Sequence, residues 1–302
     1  MWTVRGQEER GTVADDKVSS LGGFMDWALA LRDLWKTPGE KELWFRGEGK
    51  RHPTFLRPEL YRPGKNADGT DLPLRPIADL LRIENDLYEE FQRCAVQLRV
   101  ETTPEEDWDW DSYFLMQHHG APTRLLDFSD GALMALHFAV RNKARNDAAD
   151  AIVYALDPFL LGRHLDELPE TKRAEKQWKR YARKHPSDEL EEDESERVYL
   201  PAIEEDLKEL SPPSVPMLLE FPHITRRVAA QRSRFLVFGT DPAWLATEAE
   251  KSDRLIKSII VDGGSCYRIR RELKESGITE SVIFPDLDGL GREMRQLWVD
   301  RR

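Results

Sequence analysis

The segment QHHGAPTRLLDFSD, residues 117–130, carries two histidines, an arginine and two aspartates between two stretches with helical periodicity. Gly120 and Pro122 indicate the end of the first helix, because glycine readily adopts the left-handed cap and proline does not continue a helix. Ser129 is a plausible N-cap for the second helix. The segment therefore predicts a polar connection between two helices, with several side chains available to one site.

Helical periodicity extends outward from this segment in both directions. Pro76 suits the first turn of a long helix, and residues 133–140 form the broad apolar face of a helix that packs on a sheet. We expect helices at residues 24–35, 76–100, 109–118, 129–140, 264–276 and 290–299.

Short apolar runs bounded by turn residues predict the strands. They lie at residues 42–47, 151–157, 217–221, 234–239, 258–263 and 281–284. Only the last two flank a helix as a strand–helix–strand unit. The order of elements therefore predicts an α+β fold, with a mixed central sheet and with helices clustered in the N-terminal half.

Residues 163–212 are rich in Lys, Arg and Glu and include an acidic run at 188–196. This composition predicts a helical, solvated insertion, either a charged surface without chemistry or an arm that docks a partner. We expect a helical lead-in at 1–41, a core divided into 42–162 and 213–302, and the insertion between the two parts.

The composition excludes several classes of protein. With 45 basic and 56 acidic residues the net charge is −11, which argues against broad attraction to nucleic acid. No segment approaches the roughly 20 apolar residues of a membrane span, and two cysteines make neither a disulfide scaffold nor a zinc site. We expect a cytoplasmic protein without a metal ion or a membrane partner.

Familiar catalytic motifs are missing from the chain. There is no P-loop, GxGxxG, GxSxG, HExxH or CxxC sequence. These absences disfavour a nucleotide kinase, a Rossmann dehydrogenase, a serine hydrolase and a zincin.

Arg46 and Gly47 form the first candidate binding element, at the end of a predicted strand. A guanidinium there suits a phosphate or carboxylate, and the glycine lets a ligand approach the backbone. The alternative is a structural ion pair between Arg46 and Glu48.

The second candidate element is the histidine-rich segment itself. Arg124 would bind an anion at the N-terminus of the following helix, and Asp127 would orient Arg124 or a histidine. Two structural alternatives remain open: a buried Arg124–Asp127 ion pair, and His118 and His119 that only stabilise the end of their helix. Farther along, Arg226 and Gln231 would face the same site if their strand neighbours the first one.

Four motifs together resemble the FRG-domain family, which is named after the Phe-Arg-Gly triplet. They are WFRGE at 44–48, QHHGAPTRLLDFSD at 117–130, RVAAQRSRF at 227–235 and SVIFPDLDG at 281–289. Their order and spacing also look like that family, and the resemblance covers residues 43–289 apart from the insertion. Ser233 departs from the glycine of many members, which affects the local turn.

More distantly, the architecture is similar to the ADP-ribosyltransferases, including toxins that modify DNA. That resemblance implies an early Arg that grips NAD and a late strand like RFLVFG, residues 234–239. It also implies a catalytic glutamate beside the late strand. Ser233 and Arg234 stand there instead, so that role does not carry over.

Our leading hypothesis is an enzyme that consumes NAD or transfers ADP-ribose, of toxin or phage-defence character. Arg46 and Arg124 would bind the pyrophosphate, and His119 would contact the ribose or act as general base. Glu48 or Asp127 would stabilise the oxocarbenium-like centre. The remaining residues that we assign to NAD binding are Gly47, His118, Thr123, Arg226 and Gln231.

Two other classes of function fit the same residues. One is a non-catalytic module that senses a nucleotide or a phosphorylated partner, and the other is a nuclease or phosphodiesterase that uses the histidines. The acceptor of a transferred group, protein or nucleic acid, is left open.

Overall fold

The computed structural model describes residues 17–36, 42–95, 108–186, 194–201, 209–219, 229–251 and 254–299. It confirms the predicted fold class, because helices surround one mixed sheet of seven strands. The strands are β1 (Lys17–Val18), β2 (Trp44–Glu48), β3 (Leu125–Ser129), β4 (Ala151–Leu156), β5 (Met217–Leu219), β6 (Ser233–Val237) and β7 (Ile256–Val261).

The order of strands across the sheet is β1-β7-β4-β2-β3-β6-β5. The pair β1–β7 is parallel, and the other described pairs are antiparallel. β2, the strand of the Phe-Arg-Gly triplet, therefore lies at the centre of the sheet, between β4 and β3.

Ten numbered helices accompany the described sheet. They are α1 (Leu21–Trp35), α2 (Ile77–Ala95), α3 (Trp108–His118), α4 (Ala132–Val140), α5 (Pro158–Glu167), α6 (Pro169–Lys184), α7 (Trp244–Lys251), α8 (Gly263–Glu275), α9 (Glu280–Ile283) and α10 (Leu287–Trp298). α1, α4 and α8 share one apolar cluster with β2, β4 and β7. The predicted helices at 24–35, 109–118, 264–276 and 290–299 match α1, α3, α8 and α10 closely, and the part of the long helix beyond residue 95 lies outside the described residues.

Two predicted elements are wrong. Residues 125–129 form strand β3, where we predicted a connection that ends with a helix start at Ser129. Leu126 and Phe128 enter one apolar cluster while Leu125 enters another. α4 consequently begins only at Ala132.

The predicted strand at 281–284 is also wrong, since α9 occupies residues 280–283. Glu280, at its start, is buried and binds His137, Arg141 and Arg292. Burial alone would raise the pKa of Glu280, but the hydrogen bond from His137 and the two arginines lower this pKa to about 2. These tertiary contacts override the strand propensity of Val282 and Ile283.

Gly47 determines how α4 packs on the sheet. A Cβ built on Gly47 would lie 1.8 Å from the backbone oxygen of Ala135 and 2.8 Å from the nitrogen of Ala139. The space above this glycine, which we had expected to admit a ligand, is therefore taken by the helix backbone.

Arg124 is buried at the centre of a network of hydrogen bonds. Its side chain is 1% exposed and its Nε donates to Glu84 of α2, whose other carboxylate oxygen accepts from the Arg124 backbone N–H at 2.9 Å. The remaining guanidinium groups donate to the carbonyl of Phe238 at 3.1 Å and to the carbonyl of Tyr199. The hydroxyl of Tyr113, on α3, donates to the same Glu84 carboxylate.

The charged insertion is not wholly solvated. Trp178 of α6 is buried in a small apolar cluster with Ala182, Val198 and Leu210. The adjacent Tyr199 is also buried, and its carbonyl accepts a hydrogen bond from Arg124. Most of the acidic run, residues 188–193, lies outside the described residues.

We expect Glu84→Gln to lower the free energy of unfolding by about 3–5 kcal/mol, because it leaves the Arg124 charge buried without its counter-ion. Urea unfolding followed by circular dichroism measures this change. Glu89→Gln is the matched control, an exposed carboxylate on the same helix. Equal stability of the two variants would contradict the role of the ion pair.

We expect Gly47→Ala to destabilise the protein by about 3 kcal/mol or more, since the new methyl group would overlap backbone atoms of α4 that have no room to move. Gly49→Ala is the control, because a Cβ there lies at an ordinary 3.8 Å from the nearest backbone atom. Thermal unfolding of both variants tests the difference, and a Gly47→Ala protein as stable as Gly49→Ala would contradict the packing.

Candidate functional site

A pocket of about 270 Å³ opens where β2 and β3 separate. The two strands pair at a single position, Phe45 opposite Ser129. Past that pair, the Arg46 guanidinium donates to the backbone oxygen of Asp127 at 2.8 Å, so a side chain bridges the gap between the strands. The pocket is lined by Phe45, Arg46, Gly47, Phe114, Gln117, His118, Asp127, Phe128, Ser129, Ala135, Phe138, Gln231, Ser233 and Phe235.

The walls of the pocket combine aromatic rings with polar side chains. Five phenylalanines contribute, and the rings of Phe114 and Phe235 lie 4.8 Å apart between centroids. Small-molecule sites generally have volumes of roughly 300–1,000 Å³ with a few polar groups among apolar walls. This pocket thus suits one planar ring with its immediate substituent, and the rest of a larger ligand would lie outside it.

The Asp127 carboxylate is held in place by a relay of hydrogen bonds. Gln117 donates to Asp127 Oδ2 at 2.6 Å, and its own amide oxygen accepts from the Thr123 hydroxyl at 2.6 Å. That hydroxyl oxygen accepts from the Leu125 backbone N–H at 3.1 Å. The relay fixes the Gln117 amide so that its NH₂ group faces Asp127.

Thr123, which we expected at the ligand, is fully buried and belongs to this relay. Its role in the structure is to orient Gln117, and through Gln117 the carboxylate of Asp127. Gln117 itself was missed as a site residue, although it is the first residue of the histidine-rich segment.

Arg46 makes the structural pair that we kept as an alternative, and it also lines the pocket. Its Nε donates to Glu48 at 3.0 Å, and Nη1 donates to the Asp127 carbonyl. Among the described residues, Nη2 has no acceptor. Glu48 is buried, does not line the pocket and also approaches Arg62 at 3.8 Å, so it orients Arg46 instead of facing a ligand.

The two histidines differ in position. His118 lines the pocket, whereas His119 is exposed at the end of α3 and is not part of the wall. Their rings meet edge to face, with centroids 4.8 Å apart. Of the two, His118 is therefore the one that can exchange a proton with a bound molecule.

Gln231 reaches the pocket from the turn before β6. Its backbone oxygen accepts from the Ser129 hydroxyl at 2.7 Å, and the same hydroxyl oxygen accepts from the Gly131 backbone N–H. The Gln231 side-chain nitrogen is buried and has no hydrogen-bond partner in the described part of the chain. Arg226, its expected companion, lies outside the described residues.

Arg124 is not at the pocket, and its expected contact with an anion is wrong. All three guanidinium nitrogens donate hydrogen bonds, one to Glu84 and two to backbone oxygens. Burial opposes its charge, but the Glu84 carboxylate outweighs this effect and raises the pKa of Arg124. The alternative Arg124–Asp127 ion pair is also wrong, since Asp127 binds Gln117 and the partner of Arg124 is Glu84.

No group of three or more His, Cys, Asp and Glu side chains among the described residues is placed to hold a metal ion. In the same residues, the helices are too short or too polar to cross a membrane.

The family comparison covers the part of the chain that builds most of the pocket. Residues 41–148 match the model of the FRG domain, a range that contains Arg46, Gln117, His118 and Asp127. Gln231 and Phe235 complete the pocket from beyond that range. No curated protein and no solved structure matches the chain. Residues 41–148 are therefore similar to the FRG domain.

Proposed function

We propose that the pocket binds the nicotinamide riboside part of NAD and that the protein cleaves the bond between nicotinamide and ribose. The observation that carries this proposal is the Asp127 carboxylate, held by Gln117 at 2.6 Å in a pocket with aromatic walls. Such a pocket accommodates the planar ring, and the carboxylate favours positive charge on the adjacent sugar carbon.

The chemistry uses groups that line the pocket. As the bond from ribose C1′ to the ring nitrogen breaks, its electron pair neutralises the positive nicotinamide, and charge develops on C1′ beside Asp127. The hydroxyl oxygen of water or of an acceptor then bonds to C1′, and its proton passes to solvent through His118. The products are nicotinamide and either ADP-ribose or an ADP-ribosylated acceptor.

The remainder of NAD would extend out of the pocket, because about 270 Å³ cannot enclose a dinucleotide. Arg46 is the charged group that lines the opening between the strands, and its Nη2 remains available to a phosphate oxygen. Arg46 therefore keeps its proposed role at the pyrophosphate, whereas Arg124 loses it. An activity of toxin or phage-defence character in the cytoplasm is the biological setting of this proposal.

A binding module without turnover is the second candidate function. It is favoured by the hydrogen bonds that Arg46 and Asp127 already make, because groups held in this way recognise a nucleotide without giving or taking a proton. The same pocket and the same arginine would serve it.

We expect purified protein to release nicotinamide from NAD and Asp127→Asn to slow this release by about 100-fold or more, as the loss of one electrostatic contact at a reacting centre usually does. Mass spectrometry of the reaction measures the product, with and without a cell lysate as acceptor source. Asp86→Asn, an exposed aspartate on α2, is the matched control.

Arg46→Ala should weaken NAD binding in calorimetry.

Release at an unchanged rate in Asp127→Asn would contradict the role of that carboxylate. NAD binding without release in any sample would favour the binding module. A protein that neither binds nor cleaves NAD would exclude NAD as the ligand of the pocket.

A further inference from the structure

The last helix, α10, carries an apolar stripe that the described fold does not cover. Leu287 is 84% exposed and Trp298 is 83% exposed, and Leu290 and Met294 between them are also exposed. With 3.6 residues per turn, these positions fall on one side of the helix. The side that faces the fold is a different one, since Gly289 is pressed against Phe284. A continuous stripe of large apolar side chains indicates an interface.

Gly291 lies within the stripe. Among the described residues, a Cβ there would meet nothing within 4 Å, and its φ is not in the left-handed region, so neither their packing nor the backbone conformation requires glycine. A glycine in an exposed helix interior is unfavourable compared with alanine. Its bare surface does, however, let another helix approach closely, as small residues do at helix–helix contacts.

The charges beside the stripe indicate what that other helix is. Asp288 and Arg295 are seven residues apart, so they lie on the same flank of α10, and both are exposed. Neither has an ion-pair partner among the described residues. One flank thus presents a negative charge near the start of the helix and a positive charge near its end.

We propose that α10 pairs antiparallel with α10 of a second copy of this chain, about a two-fold axis between Gly291 and Met294. In this arrangement Asp288 lies toward Arg295 of the partner subunit, and the symmetry repeats the contact. Met294 fills the space left by the partner's Gly291. A parallel two-fold pair would bring opposite flanks of the two helices together, so Asp288 and Arg295 would not meet their counterparts. The surface is remote in sequence from the pocket residues, so the proposal is independent of the function proposed above.

Light scattering after size-exclusion chromatography tests the proposal on the full chain. Wild type is expected at twice the mass of the chain across a range of concentrations, and Met294→Glu at the mass of one chain. Leu34→Glu, at an exposed leucine of α1, is the matched control and is expected to remain a dimer. A monomeric wild type, or a dimer that persists in Met294→Glu, would overturn the proposal. Circular dichroism verifies that each variant is folded.

Charge reversal tests the antiparallel geometry. Asp288→Arg and Arg295→Asp are each expected to weaken dimerisation by about tenfold, because each creates like-charge contacts at both symmetry-related positions. The double variant restores opposite charges and is expected to dimerise as tightly as wild type. A double variant weaker than either single variant would overturn the antiparallel pairing.

Discussion

The buried ion pair between Glu84 and Arg124 is the interaction on which the arrangement of the fold depends. Removing two charges from water is costly, and the cost is offset only where both groups are fully hydrogen-bonded. Here the carboxylate binds the Arg124 side chain, the Arg124 backbone and the hydroxyl of Tyr113. Burial raises the pKa of that hydroxyl well above its ordinary value, so it stays protonated and donates to the carboxylate. One residue at the start of β3 is thereby tied to both α2 and α3.

The pocket follows from the position that this pair gives to β3. Because successive side chains of a strand alternate between its two faces, burying Leu126 and Phe128 in one cluster turns Asp127 and Ser129 to the other side. β6 runs antiparallel beside it and adds Phe235 opposite Asp127 and Ser233 opposite Ser129. On the other side β2 diverges, with Arg46 in the gap. The structural residue Arg124 and the candidate reactive residue Asp127 are thus three positions apart and face different surroundings.

Much of this arrangement was readable in the sequence. Periodicity predicted the fold class and most helices. The polar motifs predicted one shared site, and of its residues Arg46, Gly47, His118, Asp127 and Gln231 line the pocket, whereas Glu48, His119, Thr123 and Arg124 do not. The roles of Arg124 and Thr123 were not predictable, because their partners, Glu84 and Gln117, are set by tertiary packing. β3 was missed since its Asp and Ser resemble turn and cap residues, and nothing local distinguishes a five-residue strand from a helix start.

The carbonyl of Tyr199 connects the charged insertion to the buried Arg124, although the composition of the insertion predicts a solvated segment. By its composition, segment 163–212 is a natural choice for removal when a minimal domain is designed. Excision would remove the acceptor of one guanidinium N–H at a place shielded from solvent, and it would remove the Tyr199 hydroxyl that binds the Val215 carbonyl. A shortened chain would therefore have to supply a replacement acceptor for the Arg124 guanidinium to reproduce the same core.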